Sequence, residues 1–321
     1  MSEVLDRISA IGIVPVITSF SSYEDCDALT QALIAGGIPA MEITFRMENA
    51  EGYIRYVREH YPQVVAGAGT VLTTDQAQKA IDAGAQFLVA PGLNPEIVRY
   101  AQEKGIDIVP GVATPSEVEQ AMGLGLTTLK FFPAEQSGGV AAIKAICGPY
   151  KRVRFMPTGG LNLNNLPDYF ACDKVVACGG TYMLGSHLAK GEWAEITALC
   201  RKSVQVMLGL KLAHVGVNAP DAGAAADTAK ALAGLLQLDV AKDGKSSLFV
   251  DKYIEVMKGG GLGANGHIGF STPCLDRAVR YFQAMGIAFR EDSAKRDESG
   301  KLTAIYFAEE IGGFAIHLLK A

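Results

Sequence analysis

The sequence predicts a (β/α)8 barrel followed by a small α+β domain built from two paired βαβββ modules, with the division at 1–209 and 210–321. Three observations carry this. Eight short β-rich runs alternate with amphipathic helical segments up to about residue 209, the signature of a closed parallel barrel. No GxGxxG follows the first run, which counts against a doubly wound open sheet. Beyond residue 209 the texture changes, and a new pattern is written twice.

The eight runs are IVPVIT (13–18), AMEITF (40–45), VVAGAG (64–69), FLVAPG (87–92), DIVPGVA (107–113), TLKFFPA (128–134), VRFMPTGG (153–160) and VVACGG (175–180). Helix-start signals stand between them. Ser22, Thr74, Asn94 and Ser116 each precede an amphipathic stretch, and each stretch ends at glycine. The second segment opens with a strand in LAHVGVNAP (212–220). An alanine-rich helix then runs to about Leu238, and two or three strands follow up to KYIEVMK (252–258). After GGGLGANG (259–266) the order begins again: GHIGFSTP (266–273) is a strand, CLDRAVRYFQAMG (274–286) a helix, LTAIYFAEE and FAIHLLK strands. HVGV at 214–217 matches HIGF at 267–270. A unit this small cannot close its own sheet, so the two copies are expected to pair. The glycine run lacks a GK[ST] ending and leads into a strand, so it reads as a flexible join rather than a phosphate loop.

Composition bounds the function. The chain is 49% hydrophobic and 20% charged with net charge -5, an ordinary globular balance. No basic run marks a nucleic-acid partner, and no apolar stretch is long enough for a membrane span. The N-terminus has no signal-peptide pattern. Six scattered cysteines without a CxxC pair fit a reduced cytoplasmic protein.

In a barrel, alternate strand residues point inward and chemistry gathers at the C-terminal strand ends. On strand two this puts Glu42 inside and Arg46 at the mouth; taken alone, the pair reads equally well as a structural ion pair. Lys130 on strand six is more telling. It stands between Leu129 and Phe131 in a run that is otherwise apolar, and lysine is rarely buried without a purpose. Desolvation lowers a lysine pKa, which gives a partly neutral amine able to attack a ketone, with Glu42 placed to move protons. A satisfied Lys–Glu salt bridge is the plainer alternative. Thr70 ends strand three with a hydroxyl. The glycine pairs in PTGG (157–160) and CGGT (178–181) end strands seven and eight, where backbone N–H groups at a helix start hold phosphate in many barrels. Each pair by itself also reads as a tight turn.

EITFR, GAGTVL, APGL, PGVATPSE, KFFPAE, GGVAAIKAICGPY, RFMPTGGL and CGGTYM, in that order, resemble the KHG/KDPG aldolases, over about residues 5 to 205. The resemblance implies a class I, metal-independent, cofactor-free aldolase acting on a small 2-oxo acid and assembled as a homotrimer. It makes Lys130 the Schiff-base lysine and Glu42 the general acid/base. Arg46 and Thr70 bind the pyruvyl carboxylate, Pro91 and Phe132 wall the pocket, and Gly159, Gly160, Gly180 and Thr181 bind phosphate. Thr181 stands where serine is more usual, and Ala90 where serine is more familiar. These departures blur which aldehyde end is preferred.

The paired β-α-β-β-β units resemble the vicinal-oxygen-chelate fold of glyoxalases and extradiol dioxygenases. That resemblance implies one metal ligand from the first and one from the last strand of each module: His214, Glu255, His267 and His317, with His317 in place of the commoner glutamate. Such a set suits Zn, Ni, Mn or Fe. Hydrogen-bonded core histidines are the bland alternative. The segment is then either a metal-dependent lyase, isomerase or dioxygenase, which would make the chain bifunctional, or a non-catalytic metabolite-binding module.

Overall fold

The computed structural model describes residues 2–321 and divides the chain into two compact units, residues 1–207 and 208–321. In the first, eight strands run in the order β7-β6-β5-β4-β3-β2-β1-β8, each parallel to its neighbours. They are β1 Ile13–Ile17, β2 Ala40–Thr44, β3 Val65–Gly69, β4 Phe87–Ala90, β5 Asp107–Val112, β6 Thr128–Phe131, β7 Arg154–Pro157 and β8 Cys178–Gly180. Isolated parallel bridges, Phe155 to Val175 and Thr158 to Gly179, link β7 to the β8 side. With helices between successive strands, the unit fits a (β/α)8 barrel. The strands read as apolar runs because both faces are covered; every residue of β1, β2 and β3 is buried.

Most sequence runs extend one to three residues past the ladder at their C-terminal ends. The difference has a cause: Pro91, Phe132, Gly159 and Gly160 leave the sheet to form the rim of a cavity. Two helix starts also shift. Thr73, not Thr74, accepts the N–H of Gln76. Thr114, not Ser116, caps its helix in a capping box with Glu117, which leaves Pro115 at the first helical position. Ser22 and Asn94 do cap, accepting from Asp25 and Glu96. Past these four helices Gly37, Gly84, Gly105 and Gly125 take the left-handed conformation that lets the chain turn away.

The second unit holds one eight-stranded sheet, in the order β10-β11-β12-β9-β13-β16-β15-β14. The first module supplies β9 Lys211–Ala219, β10 Val240–Asp243, β11 Ser247–Val250 and β12 Ile254–Lys258. The second supplies β13 Gly266–Thr272, β14 Phe289–Arg296, β15 Leu302–Ile311 and β16 Phe314–Lys320. β14 carries no clear sequence signal, because FREDSAKR is polar and largely exposed. In each module the first and last strands pair in parallel, and antiparallel β9 and β13 join the two modules. The helix Ala222–Leu236 packs Ala225 and Ala229 on Leu248, Val250 and Val256. The join at 259–266 is pinned rather than flexible. Gly259 and Gly260 both donate to the Ala219 carbonyl, and Asn218 donates to the carbonyls of Gly261 and Gly263. A Cβ on Gly263 would lie 2.0 Å from the Gly266 carbonyl oxygen, so close backbone approach explains that glycine.

Candidate active site and candidate metal centre

A cavity of about 460 Å³ opens at the C-terminal ends of the barrel strands. Glu42, Arg46, Thr70, Pro91, Lys130, Phe132, Gly159, Gly160, Gly180 and Thr181 all line it. Lys130 is 5% exposed and Glu42 is fully buried. Lys130 Nζ donates to Glu42 Oε1 at 3.4 Å, and Nζ stands 5.3 Å from the centre of the Phe132 ring. Glu42 Oε2 is buried with no hydrogen-bond partner among the described residues. A buried carboxylate oxygen left unpaired is costly, and one at a reacting centre is free to take a proton.

β3 explains how Glu42 fits. The barrel interior is crowded, and GAG at 67–69 makes room: a Cβ on Gly67 would meet the Phe87 ring at 2.3 Å, and one on Gly69 would meet Glu42 Oε1 at 2.2 Å. Thr70, next in the chain, holds φ at 55°. That left-handed value strains a β-branched residue, and such strain gathers at ligand sites.

The glycine pairs differ from expectation in one respect: neither opens a helix. Gly159 and Gly160, with φ of 101° and 78°, lead into a turn before the helix Leu166–Phe170. Gly180 also leads into a turn, in which Leu184 and Gly185 donate to the Thr181 carbonyl, before the helix Gly185–Lys190. An anion there would meet turn N–H groups rather than a helix terminus. Val16, Thr158, Leu161 and Tyr182 also line the cavity, and nothing in their residue types marks them in the sequence. Thr158 lies inside PTGG and has a buried hydroxyl without a hydrogen-bond partner among the described residues. Tyr182 follows Thr181 and donates to Ser203 Oγ at 2.8 Å.

In the second unit, the HxG repeat acquires a spatial meaning. Across the β9/β13 pair His214 faces Gly269, and His267 faces Gly216. Glu255 pairs with Gly216 from the other side, and His317 with Gly269. Each glycine thus gives its space to imidazoles: a Cβ on Gly216 would lie 1.9 Å from His267 Cε1, and one on Gly269 would lie 2.6 Å from His317 Nε2. The three imidazoles converge, and Glu255 reaches two of them. His214 Nε2 lies 3.2 Å from His267 Nε2 and 3.2 Å from His317 Nε2. Glu255 Oε2 lies 3.1 Å from His267 Nε2 and 3.3 Å from His214 Nε2.

Hydrogen bonds alone do not account for this cluster. One proton on His214 Nε2 can serve only one of three acceptors around it. Three imidazole nitrogens within 4.8 Å of one another, with a carboxylate oxygen beside two of them, are a donor set that fits a borderline divalent metal. The protonation states fit as well. Burial, then the neighbouring imidazoles of His214 and His267, lower the His317 pKa to about 3. Burial also lowers His214, against the pull of Glu255. Burial would raise the Glu255 carboxyl, but hydrogen bonds from His267 and Ser247 and the adjacent histidine charges outweigh it and hold it at about 2. A neutral His317 imidazole and an ionised Glu255 carboxylate are thereby presented together. His267 Nδ1 and His317 Nδ1 have no hydrogen-bond partner among the described residues. Aromatic walls flank the cluster: Tyr306 stacks on His317 at 4.6 Å, and Phe249 meets His214 edge-on at 5.7 Å.

Comparison with known proteins bears on the barrel. The KDPG and KHG aldolase family model matches residues 4–199. A 2-dehydro-3-deoxy-phosphogluconate aldolase of Treponema pallidum is 43% identical over 208 residues, covering 64% of this chain and 99% of that protein. The KHG/KDPG aldolase of Escherichia coli K12 is 41% identical over 194 residues, 60% of this chain and 91% of that one. Among solved structures, the KDPG aldolase of Legionella pneumophila, with pyruvate captured as a covalent carbinolamine, aligns with a TM-score of 0.60 and 35% identity. It covers 62% of this chain and 97% of its own. With the family model matching well over half its length, the chain belongs to the KDPG and KHG aldolase family and is a lyase.

Proposed function

We propose that the barrel is a Schiff-base aldolase that cleaves 2-dehydro-3-deoxy-6-phosphogluconate to pyruvate and glyceraldehyde 3-phosphate, 4-hydroxy-2-oxoglutarate to pyruvate and glyoxylate, or both. The observation that carries this is the buried Lys130 amine 3.4 Å from Glu42 in the cavity. The Lys130 amine adds to the C2 ketone to give a carbinolamine, and loss of water leaves an iminium. Glu42 takes the C4 hydroxyl proton, directly or through water, and the C3–C4 bond breaks. Its electrons pass into the iminium, the aldehyde departs, and an enamine remains. Protonation at C3 and hydrolysis then release pyruvate and free Lys130. Arg46 and Thr70 hold the carboxylate, Pro91 and Phe132 wall the reacting carbons, and Gly159, Gly160, Gly180 and Thr181 receive the phosphate. Homotrimeric assembly and a cytoplasmic setting belong to the same proposal, on the family resemblance. A cleavage assay with Lys130→Ala and Lys130→Arg tests it. Both variants lose turnover, because a guanidinium stays protonated and does not attack a ketone; turnover retained by either would exclude the mechanism.

We further propose that the second unit is a glyoxalase-like domain of the vicinal-oxygen-chelate type, with His214, Glu255, His267 and His317 holding Zn, Ni, Mn or Fe. The mutual approach of the three imidazoles, with Glu255 against His214 and His267, supports it. A bound divalent ion there would supply Lewis acidity toward an oxygen ligand. Elemental analysis of the purified chain tests occupancy. Chelation is expected to lower the melting temperature of this unit and leave barrel turnover unchanged. A purified chain that takes up none of these metals would leave a non-catalytic binding module as the better description.

A further inference from the structure

Glu255 is held by more than the histidines. Ser247, on β11 and 7% exposed, donates from Oγ to Glu255 Oε1 at 2.6 Å. The carboxylate is therefore divided: Oε1 is taken by the serine, and Oε2 faces His267 and His214 at 3.1 and 3.3 Å. Strand register fixes this. Phe249 pairs with Glu255 and Ser247 with Met257, so Ser247, Phe249 and Glu255 share one face of the sheet.

The second module provides an internal control. There Tyr306 pairs with His317 as Phe249 pairs with Glu255, and Ala304 pairs with Leu319 as Ser247 pairs with Met257. Ala304 is thus the counterpart of Ser247. The hydroxyl stands only in the module whose candidate ligand is a carboxylate. Its counterpart ligand, His317, presents a single nitrogen to the cluster and has no second oxygen to restrain.

We propose that Ser247 is a positioning residue of the candidate metal centre, fixing Glu255 as a one-oxygen ligand by holding its other oxygen away from the ion. The inference rests on the metal reading given above. It assigns Ser247 a role in the number and arrangement of ligand atoms, and hence in metal affinity, through a buried hydrogen bond to a ligand.

The test uses the full chain, stripped of metal and loaded with cobalt(II), whose visible spectrum follows the number and arrangement of its ligand atoms. Ser247→Ala and Ser247→Val remove the donor; Ser247→Thr keeps it at nearly the volume of valine. The threonine variant is expected to reproduce the parent cobalt spectrum. The alanine and valine variants are expected to shift it and to bind zinc about 10- to 100-fold differently from the parent. If alanine or valine gives the parent spectrum and affinity, Ser247 only packs, and the inference fails while the metal reading stands. Should threonine depart as far as valine, volume rather than the hydrogen bond is responsible, and the inference fails again. A parent chain that binds neither cobalt nor zinc overturns the metal reading itself.

Discussion

Gly69 and Glu42 occupy one space inside the barrel: a Cβ on Gly69 would fall 2.2 Å from Glu42 Oε1 and 2.5 Å from its Cγ. Glu42 is fully buried and hydrogen-bonded to Lys130, so it has little freedom to move aside. Gly69→Ala is expected to displace the carboxylate and lower turnover by about 10²-fold or more. Made on a Glu42→Gln background, it should cost little further turnover, because the two changes act on one interaction. Full additivity in that cycle would show that Gly69 affects the barrel by another route.

Glu42→Gln keeps the shape and removes the base. Imine formation with pyruvate should persist slowly while turnover falls by roughly 10²–10⁴-fold. Stopped-flow detection of the imine beside steady-state cleavage separates the two. An unchanged turnover number would make Glu42 a structural partner of Lys130.

Thr181 offers a cleaner test of the phosphate subsite than either glycine of PTGG. Gly160 has φ of 78°, and a Cβ there would lie 2.7 Å from Glu135 Cβ, so any side chain would strain the backbone and displace a neighbour. Thr181→Ala removes only a hydroxyl and a methyl. A lost hydrogen bond to phosphate should lower kcat/KM for the phosphorylated substrate by about 10- to 100-fold and leave 4-hydroxy-2-oxoglutarate nearly unaffected. Equal losses on both substrates would place the phosphate elsewhere.

The histidine cluster gives the second unit an acid-sensitive stability. Burial and the adjacent imidazoles hold His317 at about 3, below the ordinary 6.5. Between these values the unfolded chain carries a proton that the folded chain refuses, so stability falls as pH drops below about 6.5. Glu255, held at about 2 instead of 4.5, adds a loss of the same sign from 4.5 downward. Calorimetry of the metal-free chain should show a transition that is steady above pH 7 and shifts to lower temperature between pH 6.5 and 4, with His317→Gln flattening the slope. A transition independent of pH over that range would contradict the burial argument.

Much of this was legible before folding, for physical reasons. Parallel strands covered on both faces must be apolar, so Lys130 and Glu42 stood out against their runs, and the HxG repeat marked two related modules. Other features depend on contacts that only the fold creates. Gly69 looks like any strand glycine until Glu42 is brought over it from β2. Ser247 lies in an unremarkable SSLFV and gains meaning only when β11 pairs with β12. The glycines at 259–266 suggested flexibility because composition records conformational freedom and not the carbonyl of Ala219 that binds them. Helix starts moved by one or two residues because Thr114 and Thr73 compete with the neighbouring hydroxyls for the capping position.

If Lys130 is the amine that forms the covalent link to substrate, borohydride captures that link in place. The full chain is incubated with pyruvate, reduced, digested and mapped by mass spectrometry. A single reduced pyruvyl adduct on Lys130 is expected, lost in Lys130→Ala, with activity falling in step with adduct formation. An adduct on another lysine, or full activity after reduction in the presence of pyruvate, would contradict it.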